Sequence, residues 1–242
     1  MHRKNGSNKT FYFKQFHIHH DRCAMKVGTD SVLLGAWTKV AEAKKILDIG
    51  SGSGVLSLML AQRTSAEVAI HGVEIESQAY AQACLNARQS PWAGRIKFHH
   101  QSLQQFNETA SFDLVVCNPP YFTSSKLSPS LKRTQARHNA GLPSKALVEG
   151  ATRLLSRAGR LAVILPFAEG MDFIMLASRA GLVCSRKWSF RSMENKPVSR
   201  LLLEFSYNAT VPEYGNIILY AAHGKWTDAY ARLVTPFYLD QV

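Results

Sequence analysis

The chain has 242 residues, 46% of them hydrophobic, and its 29 Lys and Arg residues against 17 Asp and Glu give a formal net charge of +12. This length suits a single α/β domain with a full hydrophobic core, and the composition is that of a soluble globular protein. No apolar run is long enough to span a bilayer, and the basic N-terminus leads into no apolar signal core. We therefore expect a cytoplasmic protein with no membrane partner.

The cysteines and histidines predict neither a disulfide nor a metal site. The four cysteines form no CxxC pair and no compact metal spacing, as expected for reduced thiols. His17, His19 and His20 lie close together, but no cysteine or carboxylate completes a metal-binding pattern. The excess of positive charge favours a polyanionic partner, because each cation that contacts a phosphate releases condensed counterions. A basic surface without such a partner is also common, so charge alone does not establish nucleic-acid binding.

The N-terminal region predicts a short β element and a helix. Residues 1–10 are polar and basic, and we expect them to be disordered. Alternating aromatic and polar residues at 11–16 predict an edge strand or one arm of a hairpin. Thr29 and Asp30 precede an apolar helical pattern that runs to Trp37, and they are predicted to cap that helix.

A glycine turn follows the first central strand. The strand that ends at Ile49 runs into Gly50, Gly52 and Gly54, whose G-x-G-x-G spacing differs from the G-x-G-x-x-G of dinucleotide-binding enzymes. Glycines let the backbone approach a ligand and open the N-terminus of the following helix. The next strand ends on Glu74, where an acid typically binds ribose hydroxyls. Strand, glycine turn, helix, strand and acid in this order predict a ribose-containing cofactor.

The tetrapeptide Asn118-Pro119-Pro120-Tyr121 stops an apolar strand at 114–117. Because prolines cannot continue a strand, Asn118 and Tyr121 are expected in the crevice at the carboxyl end of the sheet. The Asn118 side-chain oxygen and the Pro119 carbonyl can accept hydrogen bonds from one planar amine, and Tyr121 can stack on the ring that bears it. Two such acceptors would stabilise the charge that develops on a poorly nucleophilic nitrogen during methylation. The alternative reading is an ordinary strand followed by a Pro-Pro turn.

The remaining predicted elements alternate between helix and strand. They are a helix at 77–90, a strand at 95–100, a long loop at 122–142, a helix from 143 to about 157, a strand at 159–166, a helix at 170–180, and strands at 182–188 and 201–205; the less regular tail, outside this alternation, adds a strand candidate at 216–222 and a helix at 226–238. This alternation predicts an α/β, Rossmann-like fold with a seven-stranded, mostly parallel sheet and helices on both faces.

The motifs, taken together, resemble those of the class I S-adenosylmethionine-dependent methyltransferases that act on nitrogen. The resemblance to that superfamily lies in Asp48 to Gly54, Glu74 and residues 118–121. The string from Lys26 to Trp37 and the segment 20–30 more narrowly resemble the bacterial tRNA(Val) adenine-N6-methyltransferases. Shorter similar segments lie at 13–16 and 237–239, so the resemblance spans nearly the whole chain after about residue 10.

The resemblance implies a class I methyltransferase fold and a single domain. It implies an N-terminal extension at 11–40 that covers the cofactor and substrate, a Rossmann-like core at 41–207, and a C-terminal strand and helix at 208–242. The implied cofactor is S-adenosylmethionine. The implied cofactor-binding residues are Lys26, Gly28, Thr29, Asp48, Gly50, Gly52, Gly54, Glu74, Ser102 and Asn118, and the implied catalytic residues are Asn118, Pro119 and Tyr121.

Within that set, Asp48 and the glycine turn would hold the methionine part of the cofactor, and Glu74 its ribose. Ser102 departs from the pattern, because such enzymes usually carry an acid there that contacts the adenine amine of the cofactor. A hydroxyl can accept that hydrogen bond, but without the help of a charge.

The resemblance further implies N6-methylation of the adenine immediately 3′ of the anticodon, by direct transfer and with no side-chain base acting before attack. The implied partner is the anticodon stem-loop of a tRNA, and no protein partner is required. Two alternatives use similar chemistry, namely N6-methylation of a ribosomal RNA adenine and N5-methylation of a protein glutamine. The charge of +12 favours RNA over a protein tail.

Three basic clusters are predicted to grip the RNA around the mouth of the pocket. Their members are Lys14 and Arg22 near the N-terminus, Lys126, Lys132, Arg133 and Arg137 in the loop after Tyr121, and Arg186, Lys187, Arg191, Lys196 and Arg200 around the sixth strand and the connection after it. For any single member, the alternative is a solvated loop charge.

Overall fold

The computed structural model describes residues 9–108, 112–120, 142–208 and 211–239. Its strands are β1 (Thr10–Tyr12), β2 (His17–His19), β3 (Lys45–Ile49), β4 (Ala69–Glu74), β5 (Ile96–His100), β6 (Phe112–Cys117), β7 (Leu155–Pro166), β8 (Val183–Arg191), β9 (Arg200–Ser206) and β10 (Glu213–Ile218). Its α-helices are α1 (Thr29–Trp37), α2 (Val55–Gln62), α3 (Ser77–Arg88), α4 (Ser144–Leu154), α5 (Phe167–Arg179) and α6 (Asp228–Val234). Short 3-10 helices occupy Ala93–Arg95 and Ala222–Gly224.

The central sheet has the strand order β10-β8-β9-β7-β6-β3-β4-β5. Its strands are parallel except β9, which runs antiparallel to both β7 and β8. The predicted α/β, mostly parallel architecture is therefore confirmed. Among the described residues the sheet has eight strands instead of the predicted seven, because β10 pairs in parallel with β8 and extends the sheet at that edge.

The sheet separates two hydrophobic cores, because neighbouring residues of a buried strand face opposite sides. Ile46 joins the core formed with helices α1, α2, α3 and α6. Leu47 joins the core formed with α4 and α5. This arrangement confirms the prediction of helices on both faces and explains why the central strands are mostly apolar.

The N-terminal hairpin and the C-terminal segment pack against each other. β1 and β2 pair antiparallel, as the alternating aromatic pattern predicts. The rings of Phe13 and Phe16 stack with their centres 4.5 Å apart, and the Phe13 backbone forms an isolated antiparallel β-bridge with Tyr238. The predicted C-terminal helix is shorter than expected, since α6 ends at Val234 instead of 238. Thr227 fixes its start by accepting a hydrogen bond from the Tyr230 N–H.

Two local predictions were wrong. Gly28, not Thr29 or Asp30, is the N-cap of α1, and no side chain caps that helix. The helix predicted to reach about residue 157 ends at Leu154, and β7 begins at Leu155. Leu155 is buried and pairs with Phe112, so its burial in the sheet outweighs its propensity for helix.

The carboxyl ends of β3, β4, β5, β6, β7, β8 and β10 lie along one edge of the sheet, and β9 begins at that edge. The chain moves outward from β3 through β4 to β5 and then returns to β6 on the other side of β3. β3 and β6 therefore flank the topological switch point, where α/β sheets of this kind bind ligands. No helix within the described ranges combines the length and hydropathy that a membrane span needs.

Candidate active site

The glycine turn after β3 leaves open space at the switch point. Gly50, Gly52 and Gly54 have φ angles of 68°, 54° and 82°, in the left-handed region that favours glycine. A Cβ atom added to Gly50 or Gly52 would meet no atom within 4 Å. At Gly54 it would lie 2.9 Å from the Phe98 ring, so that glycine is needed for packing instead. The first two glycines therefore border a space that a ligand can enter.

Glu74 is tied to this turn. Its side chain is buried at the end of β4, and its Oε2 accepts a 2.7 Å hydrogen bond from the Gly52 N–H. Its Oε1 accepts a 2.9 Å hydrogen bond from the Glu76 N–H. Each carboxylate oxygen has a second lone pair, so these bonds orient the group and leave it able to accept from ligand hydroxyls.

Asp48 is a buried carboxylate that one cation would balance. Its Oδ2 accepts hydrogen bonds from the Ser57 N–H (3.1 Å) and hydroxyl (2.7 Å). Its Oδ1 is buried and has no hydrogen-bond partner among the described residues. Burial raises the pKa of Asp48 to about 7, against the hydrogen bonds from Ser57, which lower it. The ammonium of an amino acid such as methionine would supply the missing charge and donor, so this site fits the methionine part of S-adenosylmethionine.

Asn118 lies beside the glycine turn. Ile49 and Cys117 are paired in register, so the residues that follow them, Gly50 and Asn118, leave the sheet side by side. The Asn118 side chain is half-buried, and its Nδ2 donates a 2.8 Å hydrogen bond to the Ser31 hydroxyl at the start of α1. Sequence reasoning missed Ser31, because a serine within a helical pattern carries no signal of a distant partner.

Of the other two residues predicted to be catalytic, Pro119 and Tyr121, only Pro119 belongs to the described part of the chain. Pro119 is buried next to Asn118. Tyr121 lies outside the described residues, so its predicted stacking role stays a prediction.

The segment before α1 is exposed next to these groups. Lys26, Gly28 and Thr29 are all exposed, and Thr29 begins the helix whose third residue contacts Asn118. The Val27 N–H donates to the buried His20 ring, which fixes this segment to the hairpin. The arrangement leaves the three predicted residues accessible at the strand ends, and their cofactor contacts stay predictions.

Ser102 lies in the turn after β5, next to the end of β4, because the Gln101 N–H donates to the Glu74 carbonyl. Its hydroxyl donates a 3.0 Å hydrogen bond to Gln105 Oε1. Ile75, which sequence reasoning missed, directly follows Glu74 and is 64% exposed, and its carbonyl lies 3.1 Å from His100 Nε2 at the end of β5. An isoleucine this exposed, directly after a buried acid, offers an apolar surface on which a planar group can lie. Its position after Glu74 was the feature of the sequence that could have identified it.

The structure contradicts one predicted RNA contact. Arg186 is buried, and its guanidinium lies 3.3 Å from the carboxylate of Glu204 and 3.4 Å from that of Glu213. It also lies 4.1 Å from the centre of the Trp37 ring. A guanidinium with these partners holds β8, β9 and β10 together and cannot reach a phosphate, so the prediction for Arg186 was wrong.

Other members of the basic clusters vary in their exposure. Arg200 forms a 2.9 Å ion pair with Asp30, and the Lys187 ammonium lies 5.5 Å from the Tyr214 ring. Arg191 donates to the Glu194 carbonyl. The exposed members among the described residues are Lys14, Arg22 and Lys196. The members at Lys126, Lys132, Arg133 and Arg137 lie outside the described residues.

One group of possible metal ligands occurs among the described residues, away from the glycine turn. His71 Nδ1 lies 3.1 Å from His99 Nε2 and 3.8 Å from the Glu108 carboxylate. The Lys45 ammonium already bonds Glu108 at 2.7 Å, and burial lowers the pKa of His71 to about 4. The positive charge of Lys45 opposes a second cation there, so we interpret the group as an internal hydrogen-bond network.

Comparisons with known proteins decide the family. Residues 23–178 match the family described as Methyltransferase small domain. The chain is 41% identical to the tRNA1(Val) (adenine(37)-N6)-methyltransferase of Aeromonas hydrophila over 97% of this chain and 99% of that protein. It is 42% identical to the enzyme of the same name from Yersinia pestis, over 95% of this chain and 94% of that protein. The chain belongs to the tRNA1(Val) (adenine(37)-N6)-methyltransferase family.

Among solved structures, this methyltransferase is similar to a predicted O-methyltransferase from Agrobacterium tumefaciens. The TM-score is 0.66, with 15% identity over 86% of this chain and 96% of the other, which supports the fold alone. Family membership confirms the predicted resemblance, the methyltransferase activity and S-adenosylmethionine as the cofactor.

Proposed function

We propose that this protein methylates N6 of adenine 37 in tRNA1(Val), with S-adenosylmethionine as the methyl donor. Its relatives from Aeromonas hydrophila and Yersinia pestis are named for that reaction and match nearly the whole chain. The observation that carries the proposal is the register of Ile49 with Cys117, since it brings the glycine turn and Asn118 together. A ligand held by the turn and an amine held by Asn118 would then be neighbours.

We propose one role for each group of the cofactor site. Asp48 would bind the methionine ammonium, and Glu74, fixed by the Gly52 N–H, would accept hydrogen bonds from the ribose hydroxyls. Ile75 and Ser102 would border the adenine of the cofactor. When bound there, S-adenosylmethionine supplies an electrophilic methyl group on a positively charged sulfur.

The amine of the target adenine would donate its two hydrogens to Asn118 Oδ1 and the Pro119 carbonyl. These two hydrogen bonds polarise the N–H bonds of the amine and stabilise the positive charge that develops on its nitrogen. The amine proton is lost to solvent after attack, so the site needs no dedicated base. The adenine must leave its stack, at a cost of a few kcal/mol that is lowest in a single-stranded loop.

We propose that the protein acts in the cytoplasm. We propose further that tRNA contacts exposed cations along the rim, meaning the edge of the sheet at which β3 and β6 end. Arg22 and Lys196 are exposed, and Lys196 lies in the connection between the rim ends of β8 and β9. Lys14 is exposed too, but its backbone N–H donates to the Phe237 carbonyl, beside the C-terminal end of α2, so it lies toward the opposite edge of the sheet and leaves this proposal. Lys126, Lys132, Arg133 and Arg137 stay part of this proposal, whereas Arg186 does not. Residues 11–40 would act as an extension that covers the pocket, attached to the core at 41–207, with 208–242 as the C-terminal part.

The test uses radiolabelled S-adenosylmethionine with fractionated total tRNA and, separately, with ribosomal RNA. We expect label in tRNA alone and N6-methyladenosine as the labelled nucleoside by mass spectrometry. An Asn118→Ala variant in the same assay gives the background. Label confined to ribosomal RNA, or to protein, would overturn the proposal.

A further inference from the structure

The Asn118 amide is held from a distant part of the chain. Its Nδ2 donates a 2.8 Å hydrogen bond to the Ser31 hydroxyl, across a sequence separation of 87 residues. Ser31 lies in the first turn of α1 and Asn118 directly follows β6. The contact therefore joins the segment that precedes the core to the residue proposed to receive the target amine.

Helix α1 provides a fixed support for Ser31. Every residue from Val32 to Trp37 is buried. Next to Ser31, Asp30 forms a 2.9 Å ion pair with Arg200 at the start of β9. At the other end of the helix, the Arg63 guanidinium donates to the carbonyls of Gly35 and Thr38, at 2.6 and 2.7 Å. The position of the Ser31 hydroxyl is thus set by contacts at both ends of α1.

An asparagine amide needs such support to act as an acceptor. The χ2 angle of an asparagine side chain has a broad, roughly two-fold distribution. An amide without a fixed partner can therefore present either its oxygen or its NH2 group to a substrate. An NH2 group turned toward the adenine amine would place donors against donors. Since Ser31 engages the Asn118 NH2 group, the carbonyl oxygen lies on the other branch of the amide plane.

We propose that Ser31 is a positioning residue that fixes the orientation of the Asn118 amide, with the NH2 group toward Ser31 and the oxygen on the side from which the target amine would approach. The inference rests on the proposed function, because it assigns Ser31 a part in the same methyl transfer. The Asp30 and Arg200 ion pair supports this role by holding the first turn of α1 against β9. Ser31 itself touches neither the substrate nor the cofactor in this scheme.

The first test is kinetic. Ser31→Ala should lower kcat about fivefold to tenfold, the factor that corresponds to one net hydrogen bond, and leave the affinity for S-adenosylmethionine unchanged. Ser31→Thr retains the hydroxyl and should restore most of kcat. Ser90→Ala, which removes a hydroxyl at the C-terminal end of α3, is the matched control and should behave as wild type. Wild-type kcat in Ser31→Ala would overturn the proposal.

A double-mutant cycle separates positioning from a general structural effect. In an Asn118→Ala background, Ser31→Ala should reduce kcat no further, because the group it positions is absent. An equal loss in both backgrounds would show that Ser31 acts through the fold and would overturn the proposal.

The second test does not depend on activity. The side-chain NH2 resonances of Asn118, assigned by their absence in Asn118→Ala, should shift and broaden in Ser31→Ala and stay sharp in Ser90→Ala. Unchanged resonances would overturn the proposed contact. If the wild-type protein methylated no adenine, the proposed function would fail, and these resonances would still decide whether Ser31 holds the amide.

Discussion

The Gly52 N–H donates a 2.7 Å hydrogen bond to the Glu74 carboxylate and so joins the turn after β3 to the end of β4. In the proposed site Glu74 would therefore have two effects, since it would offer an acceptor to the cofactor and it also fixes the turn that borders the same pocket. A change at Glu74 should disturb both.

Replacement of Glu74 with alanine should weaken S-adenosylmethionine binding about 10- to 100-fold, which corresponds to the loss of a hydrogen bond to a charged group. Calorimetry with the cofactor measures the effect. Glu76→Ala is the matched control, because its exposed side chain has no part in the proposed site and only its backbone N–H bonds Glu74. Equal affinities for wild type and Glu74→Ala would remove Glu74 from the site.

Replacement of Gly52 with valine should abolish cofactor binding while the protein stays folded. The new side chain would enter the open space beside the turn, and the φ of 54° adds roughly 1–2 kcal/mol of backbone strain. Gly181→Val is the matched control, because Gly181 also has a positive φ and open space but lies between α5 and β8, at the opposite edge of the sheet. If both variants bound the cofactor equally well, the space beside Gly52 would not be the binding site.

Replacement of Asn118 with alanine should lower kcat about 10²- to 10³-fold, the loss typical when one preorganised acceptor or donor is removed from a reacting group. Cofactor affinity should change far less. Single-turnover methylation with excess enzyme measures the chemical step without product release. Near-normal turnover by Asn118→Ala would contradict the proposed mechanism.

Cofactor affinity should depend on pH through Asp48. Burial raises the pKa of Asp48 to about 7, and a bound ammonium favours the ionised carboxylate. Binding below that pH must therefore expel a proton, so affinity should rise as the pH increases through about 7. The rise should be measured at pH values at which the amino group of the ligand stays protonated.

Calorimetry of S-adenosylhomocysteine binding, in buffers with different ionisation enthalpies, counts the released protons. Asp48→Asn should bind more weakly and release none. Proton release that is the same in wild type and Asp48→Asn would show that another group titrates.

Motifs that are local in sequence were predictable, and contacts between distant segments were not. Gly50 and Gly52 form the predicted turn after β3, and Asn118 follows the predicted strand end of β6. Both features were predictable because neighbouring residues determine a glycine turn and a strand that ends at two prolines. Ser31 could not be found in this way, since its partner is 87 residues away. The charge of Arg186 was visible in the sequence, but its burial was not. Nothing in its local sequence indicated that Glu204 and Glu213 lie beside it on neighbouring strands.

The strand count was missed for a similar reason. β10 pairs with β8 in parallel, and the aligned segments begin at Glu213 and Arg186. Such pairing depends on how the chain crosses the sheet, which a local alternation of apolar residues does not reveal. The extra strand leaves the position of the candidate site unchanged, because β10 lies at the far edge from β3 and β6.

The central claim is most directly tested by methylation of two transcripts of tRNA1(Val), one with adenine 37 and one with guanine at that position. Each is incubated with the purified protein and S-adenosylmethionine, digested to nucleosides and measured by mass spectrometry. Our account predicts one N6-methyladenosine per adenine-37 transcript and none in the guanine-37 transcript. Equal formation of N6-methyladenosine in both transcripts, or none in either, would contradict it.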